Sequence, residues 1–404
     1  MADLAETHDV VIVGGGVIGA AVAFYLTADP EFDGRVLVVE RDPSYAKAST
    51  TLSAASIRTQ FSNPLNVAMS QYAYQVICDF PDLMQVGDTR PDLAFQPGGY
   101  MFLAATAAQA AILRDNHVAQ QSCGADVVLL APDELAASFP HLRVDDLTLA
   151  SYGRHGEGWF DNAGFLHGFR NKARAQGAVF LRDEVVGINC SQGRVNSVML
   201  ASGAVVGAGQ VVNASGPRAA LTARMAGLDI PVEPRKRTTF VFSCAQSPEG
   251  SARVNDGRLP LMVDPGGVYC RPEGGYFIAA AAPEYDPAVD PDDFDPRYDE
   301  FDSLVWPALA ARSEAFEAIR MVNAWAGHYA YNTLDHNLIV GPHPDLPNFI
   351  LANGFSGHGL QQAPATGRAV AELIVSGRYR TLDLSQAGVD RVLSGTAFME
   401  TSVI

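Results

Sequence analysis

Cysteine is scarce in this sequence, which has five cysteines among 404 residues and no C-x-x-C pair. An odd number of scattered cysteines argues against a disulfide framework and favours a reducing compartment. The nine histidines include no H-E-x-x-H motif. We therefore expect no metal site, and we expect a cytoplasmic protein.

Basic residues are outnumbered: the chain has 28 lysines and arginines against 45 acidic residues, which gives a net charge of −17. Such a charge repels phosphate backbones and anionic lipid head groups. Nucleic acid is therefore not expected as a partner.

Long apolar runs are also missing. The stretch 195–212 is interrupted by four polar residues, which makes it too weak for a membrane-spanning helix. The apolar segment that begins at Val10 follows neither a basic n-region nor an amphipathic leader. We expect no integral membrane segment. With 48% hydrophobic residues, the chain has enough apolar side chains for two or three domains.

The first strong motif lies near the N-terminus. An apolar strand over 10–13 leads into a G-x-G-x-x-G motif at Gly14, Gly16 and Gly19, where a small-residue helix begins. Glycines at these positions let backbone amides and the helix N-terminus approach a pyrophosphate. Glu40 closes the next strand, 21 residues after Gly19 (40 − 19), where its carboxylate can bind an adenosine ribose. The pattern predicts a βαβ dinucleotide-binding unit.

Two later glycine turns favour FAD over NAD. The segment 354–359, Gly-Phe-Ser-Gly-His-Gly, follows a predicted strand at 349–352 and precedes a helix predicted around 366–375. The segment 213–216, Asn-Ala-Ser-Gly, ends another predicted strand. Turns at these places suit a cofactor that lies extended across the sheet, as FAD does. The alternative for each segment is a turn that contains glycine for steric reasons alone.

The α/β pattern is interrupted along the chain by β-rich segments, so the nucleotide domain is expected to be discontinuous. A cluster of proline and aspartate over 283–297 predicts a long surface loop. We predict an FAD-binding domain formed by 1–90, 150–230 and 326–404, and a substrate-binding domain formed by 91–149 and 231–325.

These motifs carry a family resemblance over nearly the whole chain. Through 14–19, 40–41, 213–216, 234–237 and 354–359, the sequence resembles the glycine oxidase, sarcosine oxidase and D-amino-acid dehydrogenase superfamily. Within it, the resemblance is strongest to a mitochondrial branch of FAD-dependent oxidoreductase domain proteins that assists respiratory complex I assembly. That likeness rests on 151–153, 158–161, 231–237, 324–327, 331–333, 340–344 and 354–364.

The resemblance implies an α/β (mixed α+β) fold. A glutathione-reductase-type, Rossmann-like FAD domain is expected with a β-rich substrate domain, whose mixed antiparallel sheet covers the flavin's re face. The implied reaction is hydride transfer from a C–H beside nitrogen to flavin N5, which gives an imine that hydrolyses in water. The protein must orient the substrate and let it react as the neutral amine.

Motifs and resemblance together define the expected FAD site. Its members lie in the first glycine turn, at the end of the second strand, in the following segment and in the two later turns. They are Gly14, Gly16, Val17, Ile18, Gly19, Glu40, Arg41, Ser49, Thr50, Val185, Ser215, Gly216, Gly354, Ser356, Gly357, His358, Gly359, Leu360 and Gln361.

The substrate site is expected around Arg58, which aligns with the family's arginine and can grip a carboxylate bidentately. His358 is expected beside the flavin ring, where it donates to substrate or flavin. Gln361 stands where sarcosine oxidases carry a lysine, which argues against sarcosine itself as the preferred substrate. Aromatic residues are expected to wall the pocket, with Tyr269 and Tyr331 assigned to the catalytic set beside Tyr100, Tyr276, Trp325 and Tyr329.

Two departures from sarcosine oxidases concern the flavin. Those enzymes attach it to a cysteine in the segment that matches 328–331, whereas this chain has no cysteine after Cys270, so non-covalent FAD is expected. They also activate oxygen with a lysine in the strand that matches 276–282. This chain has only Lys47, Lys172 and Lys236, which favours a dehydrogenase that passes electrons to a quinone or an electron-carrier protein.

Three functions remain open from the sequence. The first is oxidation of an amino acid or N-substituted amino acid. The second is an assembly or binding protein that keeps FAD for structure, and the third is a 2-hydroxy acid dehydrogenase that uses the same carboxylate grip. Residues 54–56, Ala-Ala-Ser, depart from the glycine-rich version usual before the family's arginine, which puts the local loop geometry in question.

Overall fold

The computed structural model describes residues 6–248, 250 and 255–401. The helices are α1 (Val17–Ala28), α2 (Pro64–Leu83), α3 (Ala107–Ser122), α4 (Pro132–Ser138), α5 (Asn162–Ala175), α6 (Ala219–Met225), α7 (Trp306–Arg312), α8 (Gly359–Ser376) and α9 (Val389–Ser394). The strands are β1 (Thr7–Val13), β2 (Val36–Glu40), β3 (Ser56–Ile57), β4 (Tyr100–Ala104), β5 (Val127–Leu130), β6 (Leu149–Gly153), β7 (Gly158–Trp159), β8 (Val179–Arg182), β9 (Val185–Ser191), β10 (Arg194–Leu200), β11 (Val205–Asn213), β12 (Val232–Cys244), β13 (Leu261–Val263), β14 (Tyr269–Glu273), β15 (Tyr276–Ala280), β16 (Ile319–Asn332), β17 (Ile339–His343) and β18 (Leu346–Asn353).

The first sheet has the order β17-β18-β11-β1-β2-β8, with β10 and β9 added beside β11. Strands β18, β11, β1, β2 and β8 run parallel to one another. Parallel strands end at the same edge of a sheet, and ligands of such sheets bind at that edge. The glycine turns after β1, β11 and β18 therefore meet at one edge, together with the end of β2.

Glycine is required in the turn between β1 and α1. Gly14 has a φ of +99°, and a Cβ built on it would lie 2.5 Å from the carbonyl oxygen of Ala214, which follows β11. A Cβ on Gly19 would lie 2.0 Å from the carbonyl oxygen of Gly14. Only a chain without side chains at these positions brings the two strand ends and the helix this close.

Helices α1, α5 and α8 pack together beside the first sheet, and the core between them is built from small and aromatic side chains. Gly367 of α8 lies against Ala21 of α1, where a Cβ would be 2.7 Å from the Ala21 carbonyl carbon. Helix α8 begins at Gly359, seven residues before the predicted start around 366 (366 − 359). Pro364 lies inside the helix. Because glycine and proline are typical of loops, the sequence did not predict the first turns of α8 as helical.

The second sheet has the order β16-β12-β15-β14-β13-β4-β6-β5 and is antiparallel except for the β13–β4 pair. This agrees with the mixed antiparallel sheet that we expected. The predicted domain boundary at residue 150 falls inside β6, which belongs to this sheet, and the boundary at 325/326 falls inside β16. Strands β12 and β16 pair from Val232 with Asn332 to Cys244 with Ile319.

Within the described residues, none of the helices is both long and apolar enough to cross a membrane. The same part of the chain holds no group of three or more histidine, cysteine or acidic side chains arranged to bind a metal ion.

Candidate FAD and substrate site

A cavity of about 360 Å³ lies at the carboxyl edge of the first sheet and extends to the second sheet. It gathers residues that are far apart in the sequence, including both ends of the predicted FAD site. Most of the predicted site residues line it: Gly14, Gly16, Val17, Ile18, Glu40, Arg41, Ser49, Thr50, Arg58, Val185, Ser215, Gly216, Tyr269, Gly357, His358, Gly359, Leu360 and Gln361.

Gly19, Gly354 and Ser356 lie outside this lining and support the turns instead. Gly19 packs against the Gly14 carbonyl, as described above. Ser356 is fully buried, and its Oγ accepts a hydrogen bond from the Asn332 amide (3.0 Å) and donates to the Gly354 carbonyl (3.2 Å). These contacts fix the turn that precedes α8.

Tyr331 also lies outside the cavity lining, which corrects the prediction that it walls the pocket. Its ring packs 4.9 Å from the ring of His336, and the Arg235 guanidinium lies 5.3 Å from its centroid. Its backbone forms a bridge with Phe355. Tyr331 therefore ties β16 to the turn before α8.

The nucleotide end of the cavity is organised around the first glycine turn. The Gly15 amide donates to Glu40 Oε2 (2.8 Å), and the Asp42 amide donates to Glu40 Oε1 (2.8 Å). The Val17 amide donates to Thr50 Oγ1 (3.1 Å). Burial raises the pKa of the Glu40 carboxyl, while the two backbone amides oppose that shift. Gly16, the N-cap residue of α1, has no side chain, so a phosphate group can approach the N-terminus of α1.

The N-terminus of α8 enters the same cavity. Its cap residue, His358, makes no side-chain capping bond, and Gly359 to Gln361 form its first turn. Gly357 has a φ of +99°, and a Cβ on it would lie 2.7 Å from the ring of Tyr329. A second helix N-terminus therefore faces the cavity, with Gly357 packed closely on Tyr329.

Arg58 is a buried member of the cavity lining, with 2% exposure. Its guanidinium lies 4.2 Å from the ring centroid of Phe61 and 5.3 Å from that of Phe102. Nη1 donates to the Gln60 carbonyl, and Nη2 contacts His358 Nε2 at 3.0 Å. Stacked rings and these hydrogen bonds hold the planar guanidinium in one orientation.

The contact with Arg58 sets the state of His358. A guanidinium has only donors, so Nε2 of His358 must be the acceptor. The imidazole is then neutral, with its proton on Nδ1. The structure therefore brings an arginine and a neutral histidine together at the cavity, although they are 300 positions apart in the chain.

Three tyrosines from different strands form an aromatic group at the end of the cavity that contains Arg58 and His358. Tyr100 lies on β4, Tyr269 on β14 and Tyr329 on β16, and all three line the cavity. Burial raises the pKa of each phenol, so each keeps its proton at neutral pH. The Tyr269 hydroxyl is hydrogen-bonded to Thr239.

Sequence reasoning missed a buried polar network behind Arg58. Glu157 is 1% exposed, and its Oε1 accepts from the Thr59 amide (2.7 Å) and from Thr59 Oγ1 (2.6 Å). Gln60 Nε2 donates to Glu157 Oε2 (2.8 Å) and to the Tyr100 carbonyl (2.8 Å). The network thus fixes the two residues that follow Arg58. The sequence signal was an acid between two glycines, Gly156 and Gly158.

Comparisons with known proteins agree with this geometry. The sequence pattern of the DAO family, described as FAD dependent oxidoreductase, matches residues 9–373. The chain is 39% identical over 433 residues to FAD-dependent oxidoreductase domain-containing protein 1 of Bos taurus, covering 99% of this chain and 87% of that protein. It is 23% identical to monomeric sarcosine oxidase of Bacillus sp. (strain B-0618), covering 98% of this chain and all of that protein.

A solved structure supports the same assignment. L-proline dehydrogenase from P. horikoshii superposes with a TM-score of 0.84 at 26% identity, covering 98% of this chain and 100% of that chain. The chain belongs to the FAD-dependent oxidoreductase family. The expected resemblance, the fold class and FAD as the cofactor are thereby confirmed.

The described residues fit FAD. The N-terminus of α1, where Gly16 has no side chain, and the close approach at Gly14 suit a pyrophosphate. Glu40 stands where it can accept hydrogen bonds from a ribose. At the other end, the N-terminus of α8 reaches the cavity beside Tyr329, on which Gly357 packs closely. The one cavity thus offers a suitable surface to both ends of the cofactor.

Glu157 gives a prediction about pH and stability. Burial raises the pKa of its carboxyl from 4.5 to about 7. The folded state therefore holds a proton that the unfolded state has lost, so the contribution of this group to stability decreases as the pH rises through 4.5 to 7. The free energy of unfolding contributed by this group, which is lost over this pH range, is roughly 3 kcal/mol. Urea unfolding of the FAD-loaded Glu157→Gln variant at pH 5 and pH 7.5 should lack this decrease, which the wild type should show.

The matched control is Glu314→Gln, which removes an exposed acid. It should keep the pH dependence of the wild type. If Glu157→Gln and Glu314→Gln show the same difference between the two pH values, the buried carboxyl is not the group that titrates.

Proposed function

We propose that the protein oxidises the C–N bond of a small amino acid or secondary amino acid. The observation that carries the proposal is the buried pair of Arg58 and His358, 3.0 Å apart, at the cavity that fits FAD. A guanidinium binds a carboxylate through two parallel hydrogen bonds, and this fixes the orientation of the substrate as well as its position.

Several contacts prepare Arg58 for this role. The aromatic rings of Phe61 and Phe102 hold its plane, and the Gln60 carbonyl takes one of its donors. The Arg58 amide donates to Gln361 Oε1 (2.9 Å), which links the arginine to the first turn of α8. An arginine held in this way loses little side-chain entropy when a carboxylate binds.

The aromatic wall serves the amine end of the substrate. Tyr100, Tyr269 and Tyr329 present apolar ring surface and protonated hydroxyls, so they exclude water without adding a negative charge. A dry, uncharged wall favours the neutral amine over the ammonium ion. When bound, FAD supplies the acceptor for the hydride. The product imine hydrolyses in water.

The names of the relatives support an amino acid as the substrate, since they include an L-proline dehydrogenase and a sarcosine oxidase. Both of these substrates are small secondary amino acids. Gln361 supplies an uncharged amide at its position, so Arg58 remains the expected carboxylate ligand there.

The direct test is anaerobic mixing of the FAD-loaded protein with primary, N-methyl and N-carboxyalkyl amino acids and with 2-hydroxy acids. We expect an amino-acid class to bleach the visible flavin band. Arg58→Met should slow bleaching at low substrate concentration by roughly a hundredfold, because a charged bidentate contact is lost. Arg58→Lys should recover part of this rate, because lysine keeps the positive charge but lacks the two parallel N–H donors of the guanidinium.

Arg320→Met is the control, because Arg320 is an exposed arginine of β16. It should bleach at the wild-type rate, and FAD content is measured for every variant. Bleaching by hydroxy acids alone, with a deuterium effect at the carbinol carbon, would replace the amine proposal. A flavin that stays oxidised with every compound would leave a binding or assembly role.

We further propose that the electron acceptor is a quinone or a carrier protein rather than oxygen. Strand β15 contains no lysine, and Lys47 is the one lysine in the cavity lining, with its Nζ 5.1 Å from the Phe294 ring centroid. In the sarcosine oxidases that the chain resembles, a lysine in the strand that matches β15 activates oxygen, and this chain has no lysine there.

This proposal predicts slow reoxidation by oxygen. Photoreduced protein mixed with air-saturated buffer should regain the flavin band much more slowly than the same protein mixed with a soluble quinone. Lys47→Met should change neither rate. Reoxidation by oxygen that outpaces the quinone would identify an oxidase, and a loss of oxygen reactivity in Lys47→Met would assign that role to Lys47.

A further inference from the structure

The segment 283–297, hereafter the acidic strap, lies against the second sheet and carries five aspartates. Its backbone is attached to β12 at two places. The Val289 amide donates to the Pro234 carbonyl (2.9 Å), and the Arg297 amide donates to Thr238 Oγ1 (3.0 Å). The sequence predicted only a surface loop here.

Two buried cations of β12 form ion pairs with aspartates of the strap. Asp286 makes a bidentate pair with Arg237, with both distances 2.8 Å. Asp293 accepts from Lys236 Nζ (2.7 Å). Arg237 and Lys236 are both buried, so these pairs are only partly screened by water. Two of the three consecutive basic residues at 235–237 thus hold the strap against β12.

Asp292 connects the strap to the other sheet. It pairs with Arg41, which follows β2 (Nη2 to Oδ1, 3.2 Å), and with Arg218, which follows β11. Both arginines belong to the carboxyl edge where the nucleotide end of the cavity lies. The strap therefore joins the two sheets through charged groups at the cavity.

The strap also forms part of the cavity wall. Pro291, Asp292 and Phe294 are lining residues. The Phe294 ring lies 4.5 Å from the ring of His328, and His328 Nε2 is hydrogen-bonded to the Asp293 carbonyl (2.8 Å). The strap thus contributes an aromatic side chain and ion pairs to the same surface that fits FAD.

We propose that the acidic strap is a part of the FAD site that retains the cofactor. In this proposal, the ion pairs of Asp292 with Arg41 and Arg218, hereafter the triad, hold the strap in place. The proposal rests on FAD binding and not on the identity of the substrate. It also gives Arg41 a specific role: the arginine anchors the strap beside the cofactor.

A competing arrangement makes the opposite prediction. If Arg41 and Arg218 held the pyrophosphate directly, Asp292 would compete with it, and removing the aspartate would slow the release of FAD. The ion pairs favour the first arrangement, since Asp292 already binds a guanidinium nitrogen of each arginine and Glu184 lies 3.8 Å from Arg41 Nη1.

The test is the rate of FAD release from the holoprotein, followed by flavin fluorescence after dilution into low and high salt. For Asp292→Asn at low salt, we expect release to accelerate roughly tenfold, because two partly exposed ion pairs are lost together. Wild-type release should accelerate with salt, and the variant should show much less salt dependence, because the screened pairs are already absent.

Asp290→Asn is the matched control. This substitution removes the same charge from the same strap. Asp290 Oδ1 accepts a hydrogen bond from the Asp292 amide (2.8 Å), and the side-chain oxygen of asparagine can keep that bond. It should release FAD at the wild-type rate. The Arg218→Gln and Asp292→Asn double variant should release FAD no faster than the faster single variant, because both changes break one triad.

Slower release from Asp292→Asn would overturn the proposal and assign the two arginines to the phosphates. Equal acceleration by Asp290→Asn and Asp292→Asn would also overturn it, because net charge alone would then explain the effect. Unfolding temperatures of the apoproteins, measured alongside, separate cofactor retention from a general loss of stability.

Discussion

The structure depends on the close approach of backbone at the carboxyl edge of one parallel sheet. Gly14 lies so close to Ala214 that a Cβ would meet its carbonyl oxygen at 2.5 Å. The turn before α8 joins the same edge because β18 runs parallel to β11. This edge directs the N-termini of α1 and α8 into one cavity, and the FAD site follows from that arrangement.

The sequence predicted the local parts of this arrangement well. The glycine turn, Glu40 and the later glycine segments are short patterns whose geometry is set by neighbouring residues, and most of their residues line the cavity. The start of α8 was predicted too late in the sequence, because glycine and Pro364 are residues typical of loops. The boundary at residue 150 separates β6 from the sheet to which it is hydrogen-bonded.

Long-range contacts were harder to predict. Arg58 was expected beside a substrate, yet its guanidinium is positioned by Phe61 and Phe102 and by His358, 300 positions away. Glu157 carried no recognised motif, although it fixes the residues next to Arg58. Tyr331 was expected in the pocket because it is aromatic and close in sequence to Tyr329. Packing against His336 placed it elsewhere.

Whether Arg58 binds a carboxylate beside the flavin can be measured by titrating the FAD-loaded protein with propionate. Propionate carries a carboxylate but no amine, so it can bind without being oxidised. We expect a saturable change in the visible spectrum of the FAD-loaded wild type, weakened in Arg58→Lys and lost in Arg58→Met. Equal binding of propionate by Arg58→Met and wild type would show that Arg58 is not the carboxylate ligand.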